Sequence, residues 1–180
     1  ISGLSFVFNL DDRDDISSAV RGNLIQLKAG FSSHVFGATY SFNRYVIDLR
    51  KYLNFIGRNT LAMQVYIQSN YGDVPFQSLA WLGGGEKMRG YFRGRYMDKH
   101  MYVLQSEYRW RFHKRFTLAG FVSLGEVSGS AGAFLRSPLI STGGGLRFKV
   151  LKDKSTIVRL DIGIGQSGNS GFYFGVNEAF

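Results

Sequence analysis

Apolar and polar residues alternate with a period of two along nearly all of this 180-residue chain. Alternate side chains of a strand point to opposite faces, so this pattern specifies strands with one greasy and one polar side. It has no counterpart on a helix, where the period is 3.6. Nine segments carry it. Leu4, Phe6, Phe8 and Leu10 stand against Ser5, Val7 and Asn9. Similar runs follow around Leu24–Phe31, Phe36–Leu53, Thr60–Gln68, Tyr102–Phe112, Phe116–Leu124, Leu146–Val150, Val158–Gly165 and Phe172–Phe180. Within the third, the apolar parity changes between Phe42 and Tyr45, which predicts a bulge near Asn43 and Arg44. No segment reads as a helix.

Composition narrows the classes. A hydrophobic share of 44% is too high for a disordered chain, and the absence of Cys excludes disulfides and Cys-based metal sites. No uninterrupted apolar run exceeds four residues, as in Met101–Leu104, so no helix can span a bilayer. The length fits one domain. The chain begins at Ile1 with no basic and apolar leader, which predicts a removed leader or a piece of something longer.

A net charge of +9 invites a nucleic-acid reading. The basic residues are scattered over many strands and mixed with acids, and the aromatics share a face with aliphatics rather than with Lys and Arg. Both features weigh against nucleic acid. No catalytic or metal set stands out: His34, His100 and His113 are far apart, no Gly-x-Ser-x-Gly elbow occurs, and Ser128-Gly129-Ser130 reads as a turn. No cofactor and no catalysis are expected within these residues.

Alternation alone fits two architectures. In a soluble sandwich the apolar face is buried. In a transmembrane barrel it meets lipid, and the polar face lines an aqueous lumen. Three features favour the barrel. The apolar faces are four or five residues deep, as a tilted membrane strand requires. Aromatics such as Phe31, Trp110, Phe112 and Phe180 sit at the ends of those faces, where an interfacial girdle would lie. Neighbouring late strands carry mixed charges on the polar face: Glu107, Arg109, Arg111, Arg147, Lys149, Arg159 and Asp161. Short turns at Phe112–Arg115 and Lys152–Lys154, against long segments at Asp11–Arg21, Tyr71–Lys99 and Val127–Thr142, suggest the asymmetric ends of an outer-membrane barrel. The expected fold is therefore an all-β, antiparallel transmembrane barrel.

The segment 71–99 is the most distinctive. It contains Gly83-Gly84-Gly85 and then Arg89-Gly90-Tyr91, with five Gly in the twelve residues from Gly83 to Gly94. It lacks Gly-Lys-Ser/Thr and a following helix, so it does not bind phosphate in the P-loop manner. A Gly pair, then Arg-Gly-Tyr, then a strand bearing Glu107-x-Arg109, resembles the bacterial surface antigen family, the BamA/TamA-type outer-membrane barrels that assemble or translocate proteins. Asp12-Arg13-Asp14, Asp48-Leu49-Arg50-Lys51-Tyr52 and the terminal Phe180 fit the same resemblance.

The resemblance implies that residues 1–180 are the C-terminal portion of a sixteen-stranded barrel domain. Nine strands do not suit an even-stranded barrel, and eight enclose too little space for a 29-residue loop. It implies a lumen-directed loop at 71–99 with Arg89, Gly90 and Tyr91 at its tip, held by acidic residues of the inner wall. The place where the family carries one such acid reads Ser123-Leu124-Gly125 here, so Glu107 and Asp161 are the expected partners of Arg89. The last strand, with Phe174, Gly175 and Phe180, resembles a C-terminal targeting strand, although Glu178 stands where an apolar residue is commoner. The implied location is the bacterial outer membrane. The implied partners are membrane lipid, lipopolysaccharide, and client outer-membrane or secreted proteins. A passive pore or structural barrel without client handling is the alternative.

Overall fold

A computed structural model describes residues 2–55, 57, 59–150 and 156–180. Its strands are β1 (Gly3–Asp11), β2 (Gly22–Ser32), β3 (Phe42–Asn54), β4 (Thr60–Gly72), β5 (Ala80–Leu82), β6 (Tyr96–Asp98), β7 (His100–Trp110), β8 (Phe116–Ser128), β9 (Leu139–Lys149), β10 (Ile157–Gly165) and β11 (Ser170–Val176). Nine of them form one antiparallel sheet in the order β1-β2-β3-β4-β7-β8-β9-β10-β11. The pair β5–β6 is a separate hairpin inside the long connection after β4. Among the described residues there is no α-helix, only three single 3-10 turns. Among the described residues β1 pairs only with β2, and β11 only with β10, so both form outer edges of this sheet.

The two faces differ as the alternation requires, and their environments are those of a membrane wall rather than a sandwich. Outward side chains of the late strands are open: Ile162 is 59% and Phe172 is 67% exposed, and no second layer among the described residues covers them. The charges on the opposite face are buried, with Arg109 and Arg159 each 5% exposed. Exposing such apolar rows to water costs roughly 25 cal/mol per Å2, whereas acyl chains impose no such cost. Ring contacts mark both ends of the outer face. Phe6, Phe31, Tyr45, Tyr71 and His100 touch in series at one end, and Trp110, Phe112, Phe116 and Phe148 at the other.

Several expectations change. There is no bulge at Asn43 and Arg44, because β3 pairs with β2 and with β4 in unbroken register. The parity shift arises because the chain is not a strand before Phe42: His34–Phe36 is a 3-10 turn, and Gly37 follows in the left-handed region at φ 75°. β9 begins at Leu139 rather than Leu146; Gly143-Gly144-Gly145 erases the alternation there without breaking the pairing. The division into short and long ends is incomplete. Alternating strand direction puts the Asp12–Arg21 connection at the same end as the 111–115 turn, and the short 166–169 turn at the end of the long loop. The turn expected at Lys152–Lys154 lies outside the described residues.

The last strand also stops early. β11 ends at Val176, Asn177 adopts a positive φ of 66°, and the chain turns inward. Phe180 is therefore not part of an outer girdle. It is 5% exposed and packs in a buried cluster with Ala19, Tyr52, Ala62 and Ala179. The Asp12–Arg21 connection closes over this tail, with Glu178 N–H donating to Ser17 O at 3.3 Å.

Candidate functional site

The long connection folds back over the inner face. Its apolar residues Ala80, Leu82, Met88 and Tyr91 form one buried cluster with Val46, Tyr66, Met101 and Val103 of β3, β4 and β7. This packing brings the segment Met88-Arg89-Gly90-Tyr91 against β7–β11. Arg89, Met88 and Tyr91 have no measurable exposure.

Arg89 lies between two carboxylates on different strands. Its Nη2 donates to Glu107 Oε2 and its Nη1 to Asp161 Oδ2, both at 2.6 Å. The guanidinium carbon lies 3.6 Å from the centre of the Phe121 ring of β8. A planar, always-charged fork suits this seat, because it meets two acceptors while its face stacks on an aromatic ring. Lys offers neither the plane nor the fork.

Other residues complete the network. Arg147 donates to the same two acids, through Nη2 to Glu107 Oε2 at 3.0 Å and through Nη1 in a short bond to Asp161. Arg109 Nε donates to Glu107 Oε1 at 2.7 Å, an i,i+2 pair that the strand period puts on one face. Glu178 accepts from Arg147 Nε at 3.2 Å and lies 3.6 Å from Arg109 Nε. Four guanidiniums (Arg89, Arg109, Arg147 and Arg159) thus share three carboxylates (Glu107, Asp161 and Glu178). Removing one member of such a buried set costs about 3–5 kcal/mol, since it leaves a desolvated charge unpaired.

Neutral contacts hold the neighbouring backbone. Gln105 Oε1 accepts from Met88 N at 3.1 Å and its Nε2 donates to Glu86 O at 2.9 Å. A chain of amides continues through Gln64 to Asp48. Tyr173 of β11 accepts from Gly90 N at 2.9 Å and donates to Tyr91 O at 3.1 Å. Tyr91 OH donates to Ile140 O and accepts from Gln166 N, each at 2.9 Å. The tip is therefore tied to five consecutive strands of the sheet or to their connections. Gly90, at φ 108°, passes so close to the wall that a Cβ on Gly163 would lie 2.6 Å from Gly90 N.

The structure thus brings Arg89, Gly90 and Tyr91 together with Glu107 and Asp161. In the Ser123-Leu124-Gly125 segment, Ser123 Oγ donates to Gln105 Oε1 at 3.3 Å, and Gly125 leaves room for Met88. The final-strand residues separate. Phe174 faces outward and is 69% exposed, Gly175 abuts Arg159, and Phe180 is tucked inside. Sequence reasoning did not single out Arg147, Gln105, Phe121, Tyr173 or the bridging role of Glu178. The inward parity of Arg147 and the misfit of Glu178 in a lipid-facing row were the available signals.

A family profile described as the Omp85 superfamily domain matches the chain over residues 1–180. The chain belongs to the Omp85 superfamily. No curated protein sequence matches it. Membership identifies the chain with a family of bacterial outer-membrane proteins engaged in protein assembly and translocation. It also accounts for the reversed faces of this Omp85 sheet, with apolar rows outside and charges inside. Among the described residues of this Omp85 chain no group of three or more His, Asp or Glu is gathered so as to hold a metal ion.

Proposed function

We propose that residues 1–180 form the C-terminal part of the wall of a BamA/TamA-type barrel, sixteen strands in all, which inserts or translocates client proteins at the outer membrane. The observation that carries this reading is the seating of Arg89 between Glu107 and Asp161, on the face opposite the exposed apolar rows. A loop fixed there stiffens β7–β10 and reaches the seven-residue terminal strand, which has one paired neighbour, through Tyr173.

In this reading β11 meets the first strand of the barrel at a seam. The free edge of β11 offers backbone N–H and C=O groups to a client strand, which adds by β-augmentation. Tyr173 joins that edge to the loop tip through Gly90 N and Tyr91 O, so the loop state bears on seam geometry. The lipid partners contact the outward rows, and lipopolysaccharide meets the aromatic end nearer the long loop.

The test is client folding. The full-length protein in liposomes should accelerate folding of an added unfolded outer-membrane barrel, and Arg89→Ala should reduce that acceleration several-fold. Ion conductance without any acceleration, or full acceleration by Arg89→Ala, overturns the proposal in favour of a passive pore or a dispensable loop contact.

A further inference from the structure

The buried network has one cation too many. Asp161 already pairs with Arg89 and Arg147, and Arg159 reaches it only at 3.6 Å, through Nη1. Arg159 is 5% exposed, and its Nε and Nη1 have no hydrogen-bond acceptor. Its side chain lies between Gly85 of the loop and Gly175 of β11, at the wall of a cavity of about 560 Å3. Three further cations line that cavity: Arg44, Lys87 and Arg93. None has a carboxylate within 4.0 Å among the described residues; Glu86 is the one acid in the lining. Arg44 is held in place by Asn70 Oδ1 and Ser78 O, and the Lys87 ammonium rests 3.9 Å from the Tyr66 ring centre. Burial holds Lys87 below the ordinary lysine range, against the upward pull of Glu86.

We propose that this cavity is a binding site for a multiply charged oxyanion of the phosphate class, with Arg159 as its buried anchor and Arg44, Lys87 and Arg93 as its rim. Buried guanidinium N–H groups without an acceptor suit an oxyanion, and a charge-assisted bond there is stronger than a neutral one. The volume exceeds that of a monatomic ion, and four cations around one hollow favour more than one negative charge. The site lies on the inner face and its lining reaches Phe174, Gly175 and Val176 of β11, so the phosphate is either a free ion or that of a lipid headgroup. The inference goes beyond client handling: Arg159 shares Asp161 with the loop-tip pair, yet its unpaired N–H groups lie at the cavity.

The test uses the full-length protein in neutral detergent, with inorganic pyrophosphate as the titrant in calorimetry. Arg159→Gln and Lys87→Gln should each weaken binding by about tenfold or more, the loss of one charge-assisted contact. Lys114→Gln, in the exposed 111–115 turn, should leave it unchanged. Gel-shift heat modifiability reports folding of each variant, and Lys87→Gln keeps the test decisive if Arg159→Gln does not fold. Competition by short-chain phosphatidic acid, but not by phosphatidylcholine, assigns the phosphate to a lipid headgroup; no competition assigns it to a soluble ligand. Absence of pyrophosphate binding, or equal weakening by Lys114→Gln, overturns the site.

Discussion

The inner and outer faces of β7–β10 are built from alternate residues of the same strands, yet they follow opposite rules. On the inner face Glu107, Arg147 and Asp161 are sealed beneath a folded loop, and each polar atom has a narrow choice of partner. On the outer face Leu104, Leu118, Leu160 and Ile162 have open surroundings and need only a greasy solvent. Specificity in this molecule therefore lies inside, where a displaced group leaves a bare charge. The outer face is specified by hydrophobicity and depth alone.

Three substitutions and one control probe that difference. The largest effect is expected for Arg89→Ala. It removes the cation shared by Glu107 and Asp161, and should cost about 3–5 kcal/mol, read as a lowered urea midpoint of the refolded protein. Trypsin should then cut the loop at Lys87, Arg93 or Arg95. An unchanged midpoint with a resistant loop would mean that apolar packing of Leu82, Met88 and Tyr91 seats the loop unaided. A charge on the other face sharpens the contrast. Leu160→Arg should destabilise by about 2–4 kcal/mol in bilayers, through the cost of a cation among acyl chains. Its neighbour Arg159 is native and buried one residue away, so tolerance of Leu160→Arg in lipid would sink the assignment of faces. The smallest effect is expected for Gly163→Ala. The new methyl meets the backbone of Arg89 and Gly90, and overpacking of this kind costs about 1–3 kcal/mol. The same change at Gly120, with open space around it, should be silent in the same unfolding assay.

Much of the fold was legible because strand periodicity is local. Each of the nine large strands left an alternating trace, and the inward parity of Glu107, Arg109, Arg147, Arg159 and Asp161 could be read from it. Where glycine replaced side chains, as in Gly143–Gly145, the trace vanished and the start of β9 was lost. Where a capped turn happened to keep parity, as before Phe42, a bulge was inferred that the pairing does not contain. Arg-Gly-Tyr after a Gly-rich run marked the loop tip. The partners of that tip are 18 and 72 residues away, at Glu107 and Asp161, as the resemblance implied; that Arg147 competes for the same two acids required three dimensions.

Alternation by itself determined the strands and divided their residues into two sets, because side chains of an extended chain must point in opposite directions. Only the tertiary structure decided what each set meets. The loop covers the charged set, Asn177 turns Glu178 and Phe180 inward against it, and Arg159 is left without a full partner. Those outcomes depend on groups far apart in sequence competing for the same few carboxylates, and no local pattern encodes how that competition ends.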